Sequence, residues 1–132
     1  MAVGVSTVNT ANAWLNCIRA SGSTRTVVAG TFVKLHTADP GASGATAAAV
    51  GDTTRKTVAQ AAASGGSIVI SGTAGPWTNG GTSETITHIS VWDDVSAGNF
   101  LYSAALTASQ PWASTNTFTL NTLTVAITPL AA

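Results

Sequence analysis

A chain of 132 residues is long enough to bury a substantial core and is expected to form one domain. Only 8% of the residues are charged, five acidic against five basic, so the net charge is zero with both histidines neutral. Arg19, Arg25, Lys34, Arg55 and Lys56 are scattered rather than gathered into a stripe, which excludes the electrostatic footprint of a nucleic-acid binder.

A surface this poor in charge is easily stripped of water, so it suits repeated packing against neighbours and points to an assembly subunit. No run of about eighteen apolar residues exists, and no membrane insertion is expected. The first residues lack the basic segment that opens a secretory signal. Cys17 is alone, so no internal disulfide forms; it reads as a small buried residue on a helix.

Residues 6–20 are predicted to form the single helix. Ser6 or Thr7 supplies the capping hydroxyl, and Val8, Ala11, Leu15 and Ile18 fall at helical spacing, widened by Trp14 and Cys17. Ser21-Gly22-Ser23 stops it. Such a helix ahead of a sheet packs across the sheet or covers an edge strand, with insertion into a partner as the functional alternative.

The first strand is predicted within Val27 to Thr37, clearest at Phe32-Val33-Lys34-Leu35-His36. Asp39-Pro40-Gly41 then makes a turn, because proline presets φ and glycine takes the positive-φ position. Residues 38–54 read as a long surface loop, with Ala47-Ala48-Ala49 able to form one helical turn, and as a contact surface. Arg55 to Ala62 and Ser67 to Ser71 read as two strands, the second marked by Ile68-Val69-Ile70. Gly72 to Ser83 reads as a glycine-rich connection whose Trp77 either folds onto the core or faces a partner.

Glu84 to Thr107 is the centre of the pattern. Ile86, His88 and Trp92 share one parity and Ile89 and Val91 the other, as in a strand covered on both faces. Asp93 to Asn99 has the carboxylates, glycine and asparagine of a hairpin loop, and Phe100, Tyr102, Ala104 and Leu106 restart the alternation. Ser109 to Ser114 reads as a loop, since Pro111 removes a ladder donor. The last strand changes parity, with Phe118 and Leu120 even but Leu123, Val125 and Ile127 odd, so a bulge or bend is predicted near Asn121-Thr122; Pro129 closes it. The expected fold is an all-β sandwich of six or seven antiparallel strands with one short N-terminal α-helix.

The residues that could carry chemistry are His36, His88, Asp39, Asp52, Asp93, Asp94, Glu84 and Cys17. No nucleophile-elbow or phosphate-loop pattern joins them. His36 and His88 lack the short paired spacing of a metal motif and read as hydrogen-bonded strand residues, His36 to the Asp39 turn. No catalytic, metal or cofactor site is therefore expected. Trp77, Trp92, Trp112 and Tyr102 raise sugar stacking as an alternative, against a reading in which Trp92 and Tyr102 are core and Trp77 and Trp112 cover the sandwich ends. Trp77, Trp112 and the Asp39-Pro40-Gly41 turn are the candidate partner contacts.

Four stretches resemble a known family when taken together: Val33 to Gly41 (VKLHTADPG), Thr53 to Lys56 (TTRK), Thr85 to Asp93 (TITHISVWD), and Ala97 to Leu106 (AGNFLYSAAL). In this order they are similar to small virion proteins of tailed phages infecting actinobacteria, labelled tail-fibre or minor tail proteins. The family pattern has glycine where this chain has Ala38, and the similarity runs from about Val33 to the C-terminus. The resemblance implies a structural component of the particle surface, made in the bacterial cytoplasm, with no enzymatic residues to carry over. A fibre draws its length from repeats or heptads, and none is present here. The leading expectation is therefore a capsid decoration or minor capsid protein. Its partners are further copies of itself, as in a trimer, and the major capsid protein. A minor tail or fibre protein touching the host envelope is the first alternative, a carbohydrate-binding module the second.

Overall fold

The structure is a computed structural model and describes residues 3–18 and 29–128. The predicted last turn of the helix, its stop at 21–23, the strand start at Val27 and the close at Pro129 lie outside the described residues, as does the side chain of Cys17. The fold is an all-β sandwich with one short N-terminal helix. Among the described residues the strands are β1 (Phe32–His36), β2 (Lys56–Thr57), β3 (Ser67–Val69), β4 (Ala74–Thr78), β5 (Glu84–Trp92), β6 (Phe100–Trp112), β7 (Thr117–Leu120) and β8 (Thr124–Ala126).

One layer is a four-stranded antiparallel sheet in the order β2-β1-β5-β6; two-stranded pairs, β3-β8 and β4-β7, complete the sandwich. The core between them holds Val33, Leu35, Ile86, Ile89, Val91, Trp77, Trp112 and Leu120. The last four residues of β5 are all buried, as its two-sided apolar pattern requires of a central strand. No described helix is long and apolar enough to cross a membrane.

The chain reaches this fold by routes that differ locally from the sequence pattern. β4 lies inside the stretch expected to be a glycine-rich connection. It pairs irregularly, shifting register between Ala74 and Trp77, which is why no alternation marks it. β6 runs on through Pro111, which sits opposite Thr85 where a loop was predicted. An edge strand tolerates proline because the missing donor costs no central ladder bond. The expected strand 55–62 contracts to Lys56–Thr57, with Gln60 bridging Ile70 alone. The parity change in the last strand is where the chain changes partner: β7 pairs with β4, residues 121–123 turn, and β8 pairs with β3.

The helix opens with a π turn, Thr7–Ala11, and continues as α1 (Asn12–Ile18). Ser6 caps it, its hydroxyl accepting from the Asn9 N–H at 3.2 Å. The preceding arm covers part of the outer edge of β6: Ser6 N–H donates to the Leu101 carbonyl (2.6 Å) and Ser103 N–H to that of Gly4 (2.9 Å). Thr10 Oγ1 and Asn9 Nδ2 donate to the carbonyls of Leu101 and Phe100. These polar tethers decide which face of the helix meets the sheet. Thr10 turns inwards and is buried, and with the 40% exposed Trp14 it lines a small cavity beside Leu101 and Tyr102. The predicted core stripe turns outwards instead, leaving Val8, Leu15 and Ile18 75%, 64% and 80% exposed.

The 38–54 stretch is not a free surface loop over its first half. Thr37 N–H donates to the Ala47 carbonyl and Ala49 N–H to that of Leu35, so Ala48 bridges His36 as a short added strand and no helical turn forms at 47–49.

Candidate functional site

The Asp39-Pro40-Gly41 turn is built as the residue types require. Asp39 Oδ1 accepts the Gly41 N–H at 2.8 Å, Gly41 takes φ +71°, and the Pro40 carbonyl accepts the Thr46 N–H at 2.9 Å. The other carboxylate oxygen, Asp39 Oδ2, is buried without a partner among the described residues. Pro40 itself is buried.

The turn is fixed from below by His36, which is fully buried. Its Nδ1 lies 2.8 Å from the Thr46 carbonyl and its Nε2 2.7 Å from Ser90 Oγ, which in turn accepts the indole N–H of Trp92 at 2.8 Å. A carbonyl only accepts, so Nδ1 carries the proton and Nε2 accepts from the Ser90 hydroxyl. Every donor then has an acceptor while the ring is neutral. Burial pushes the His36 pKa down to about 4; the Thr46 carbonyl opposes this, and Lys34 and His88 add to the depression. The predicted bond to the Asp39 turn is thus replaced by one to Thr46, seven residues further on. His88 stands opposite His36 in the register and pairs with the Thr87 hydroxyl at 2.7 Å. Both nitrogens of His36 are engaged, so it offers no lone pair to a ligand.

Trp77 and Trp112 are 0% and 2% exposed. Their indole N–H groups donate inwards, Trp77 to the Thr54 carbonyl at 3.0 Å and Trp112 to that of Asn116 at 2.9 Å. Neither ring presents a face to a sugar or a partner, so of the two readings open from sequence the enclosed one holds, and both rings are core and loop anchors. Aromatic rings carry large apolar area, and these two spend it inside the sandwich. Asn79 joins their surroundings, donating from Nδ2 to the carbonyls of Thr82 and Trp112. The two tryptophans thus serve one set of connections, and the Asp39 turn another.

Two anchoring arrangements had no signal in the sequence. Glu84 accepts the N–H groups of Val50 and Gly51, the latter at 2.7 Å, and so closes the second half of the 38–54 stretch. Arg55 lies 3.7 Å over the Trp92 ring and donates to the carbonyls of Asp94 (2.8 Å) and Ala97. Burial lowers the Arg55 pKa, against the pull of Asp94 and Asp93. Asp93 and Asp94 accept backbone N–H groups within their own loop, as turn carboxylates do. Arg55, Glu84, Asp93 and Asp94 therefore hold loops, and two uncharged surfaces of the described residues stay open: the outward ridge of the helix, and a groove beside β6.

The family described as podophage GP4 fiber I protein gp80 matches residues 4–128. Among the curated proteins none matches the chain. With nearly all of its length matched, the chain belongs to this family of phage fibre proteins, and is a structural protein of a bacteriophage.

Proposed function

We propose that, as a member of this family, the chain is a repeated subunit of a virion fibre, displayed at the particle surface and assembled with further copies of itself as a symmetric trimer. The observation that carries the reading is the match to a fiber protein over residues 4–128. The uncharged, outward ridge of Val8, Leu15 and Ile18 supports it, since such a ridge meets a neighbour without desolvating an ion. The helix and the Asp39-Pro40-Gly41 turn are the contacts we assign to neighbouring virion proteins. The four stretches resembling proteins of actinobacterial phages support a host among the actinobacteria.

A second reading is a decoration protein seated on the major capsid protein. It is favoured by the compactness of the sandwich, whose longest described strand has 13 residues and which holds no shaft. The number of copies per purified virion, measured against the major capsid protein by quantitative mass spectrometry, separates the two. A small number in multiples of three, with antibody label on the tail appendages, is the expected result. Hundreds of copies, with label over the shell, would transfer the assignment to the capsid.

A further inference from the structure

A groove of about 660 Å³ lies between β6 and the β7–β8 run. Its size suits a short stretch of polypeptide. Both walls carry strand backbone left unpaired on one side among the described residues. The register of β5 and β6 passes from Ile86 opposite Gln110 to His88 opposite Ala105, so Leu106 to Ser109 have no partner in β5. Across the groove, β7 pairs with β4 and β8 with β3, and among the described residues neither has a second neighbour. At the mouth, Ala104, Leu106, Phe118 and Leu123 are only partly buried, as where two layers of a sandwich remain unbridged. No residue lining the groove is charged.

These features favour an extended polypeptide. A row of free N–H and C=O groups at strand spacing is matched by another strand, and a compact solute fills only part of such a row. A charged occupant would lose its hydration and meet no countercharge. β6 already accepts such a segment once, where Gly4 to Ser6 of the N-terminal arm lies along Leu101 to Ser103, and the groove begins at the next residue, Ala104. The chain itself holds uncharged extended chain of this kind, for residues 3–6 precede the helix and contain no ionisable side chain.

We propose that a second copy of this chain lays an extended, uncharged segment into the groove between β6 and β7–β8 as an added strand. The contact is heterologous, groove against segment, so it builds a ring or a filament according to whether the rotation closes. The inference rests on the fibre reading for its setting, but the purified chain tests it without virions, so its failure leaves the copy-number result untouched.

The experiment compares the wild-type protein with T107E/T119E, two exposed positions on opposite walls, by sedimentation velocity. Hydrogen exchange is followed at residues 106–109 and 119–122 over a concentration series. Wild type should sediment as an oligomer, with exchange at these amides slowing by about tenfold or more as it associates. T107E/T119E should sediment as a monomer with an unchanged circular dichroism spectrum and unfolding midpoint. A second variant, V8S/L15S/I18S, should keep the groove protection. A monomeric wild type overturns the proposal. So does a groove variant that still associates, or assembly abolished by the helix variant alone.

Discussion

His36 is the residue whose chemistry is most tightly set by its surroundings. The Trp92 indole, Ser90 hydroxyl, His36 ring and Thr46 carbonyl form one directed chain of hydrogen bonds that is complete only with a neutral imidazole. A second ring proton would put two donors, Nε2–H and the Trp92 N–H, onto one hydroxyl inside the core. The folded state therefore keeps His36 neutral down to about pH 4, whereas the unfolded chain protonates it near 6.5. Its contribution is complete above pH 6.5 and is lost as the pH falls towards 4, by about 3 kcal/mol over that interval. Denaturant unfolding followed across this window should show the decline. The same titration of His36→Ala, although less stable at every pH, should lack that component of the slope. An identical slope in both proteins would mean that carboxylates such as Asp52, held low by Thr54 and Lys56 against the effect of burial, carry the acid dependence instead.

At the scale of elements, the seating of the 38–49 turn against the central hairpin can be broken at one atom. Gly44 has φ +70°, and a Cβ there would run into the Phe100 ring. Gly44→Ala combines left-handed strain of about 1–2 kcal/mol with an overpacking penalty of about 1–3 kcal/mol, and should lower the unfolding free energy by about 3 kcal/mol. The measurement is the denaturation midpoint, with Phe100→Ala in the same chain restoring part of the loss. A Gly44→Ala protein as stable as wild type would show that the turn rests loosely on the hairpin. The elements themselves were unevenly legible. β5 and the first half of β6 carry apolar side chains on both faces on either side of a turn rich in Asp, Gly and Asn, so their place as buried central strands is written in the residues. β4 owes its place to irregular pairing through Trp77, and the outward turn of the helix to Thr10 and Asn9 bonding the edge of β6. Neither is a periodic property, so neither appears as a pattern. Trp77 and Trp112 illustrate the same limit at a candidate site: residue type permits either burial or display, and only the sandwich that encloses them decides.

For the whole molecule, what matters is where the charges of the described residues go. Arg55 is bound to the 93–99 loop, Lys56 lies 3.6 Å from Asp52, and Glu84 holds the 50–51 N–H groups. These charges are spent within the subunit, and the described residues of the helix ridge and of the groove carry none. An interface formed from such surfaces gains from removing apolar area from water and from pairing backbone, and neither depends on screening. Raising ionic strength from about 0.05 to 0.5 M shrinks the Debye length severalfold and weakens contacts between exposed charges. Self-association of this chain should hold constant or tighten slightly over that range when its dissociation constant is measured by sedimentation equilibrium. A constant that rises tenfold with added salt would assign assembly to the exposed Lys, Arg and Asp side chains instead. The subunits of the fibre would then be held by ion pairs made between copies and not by the uncharged surfaces.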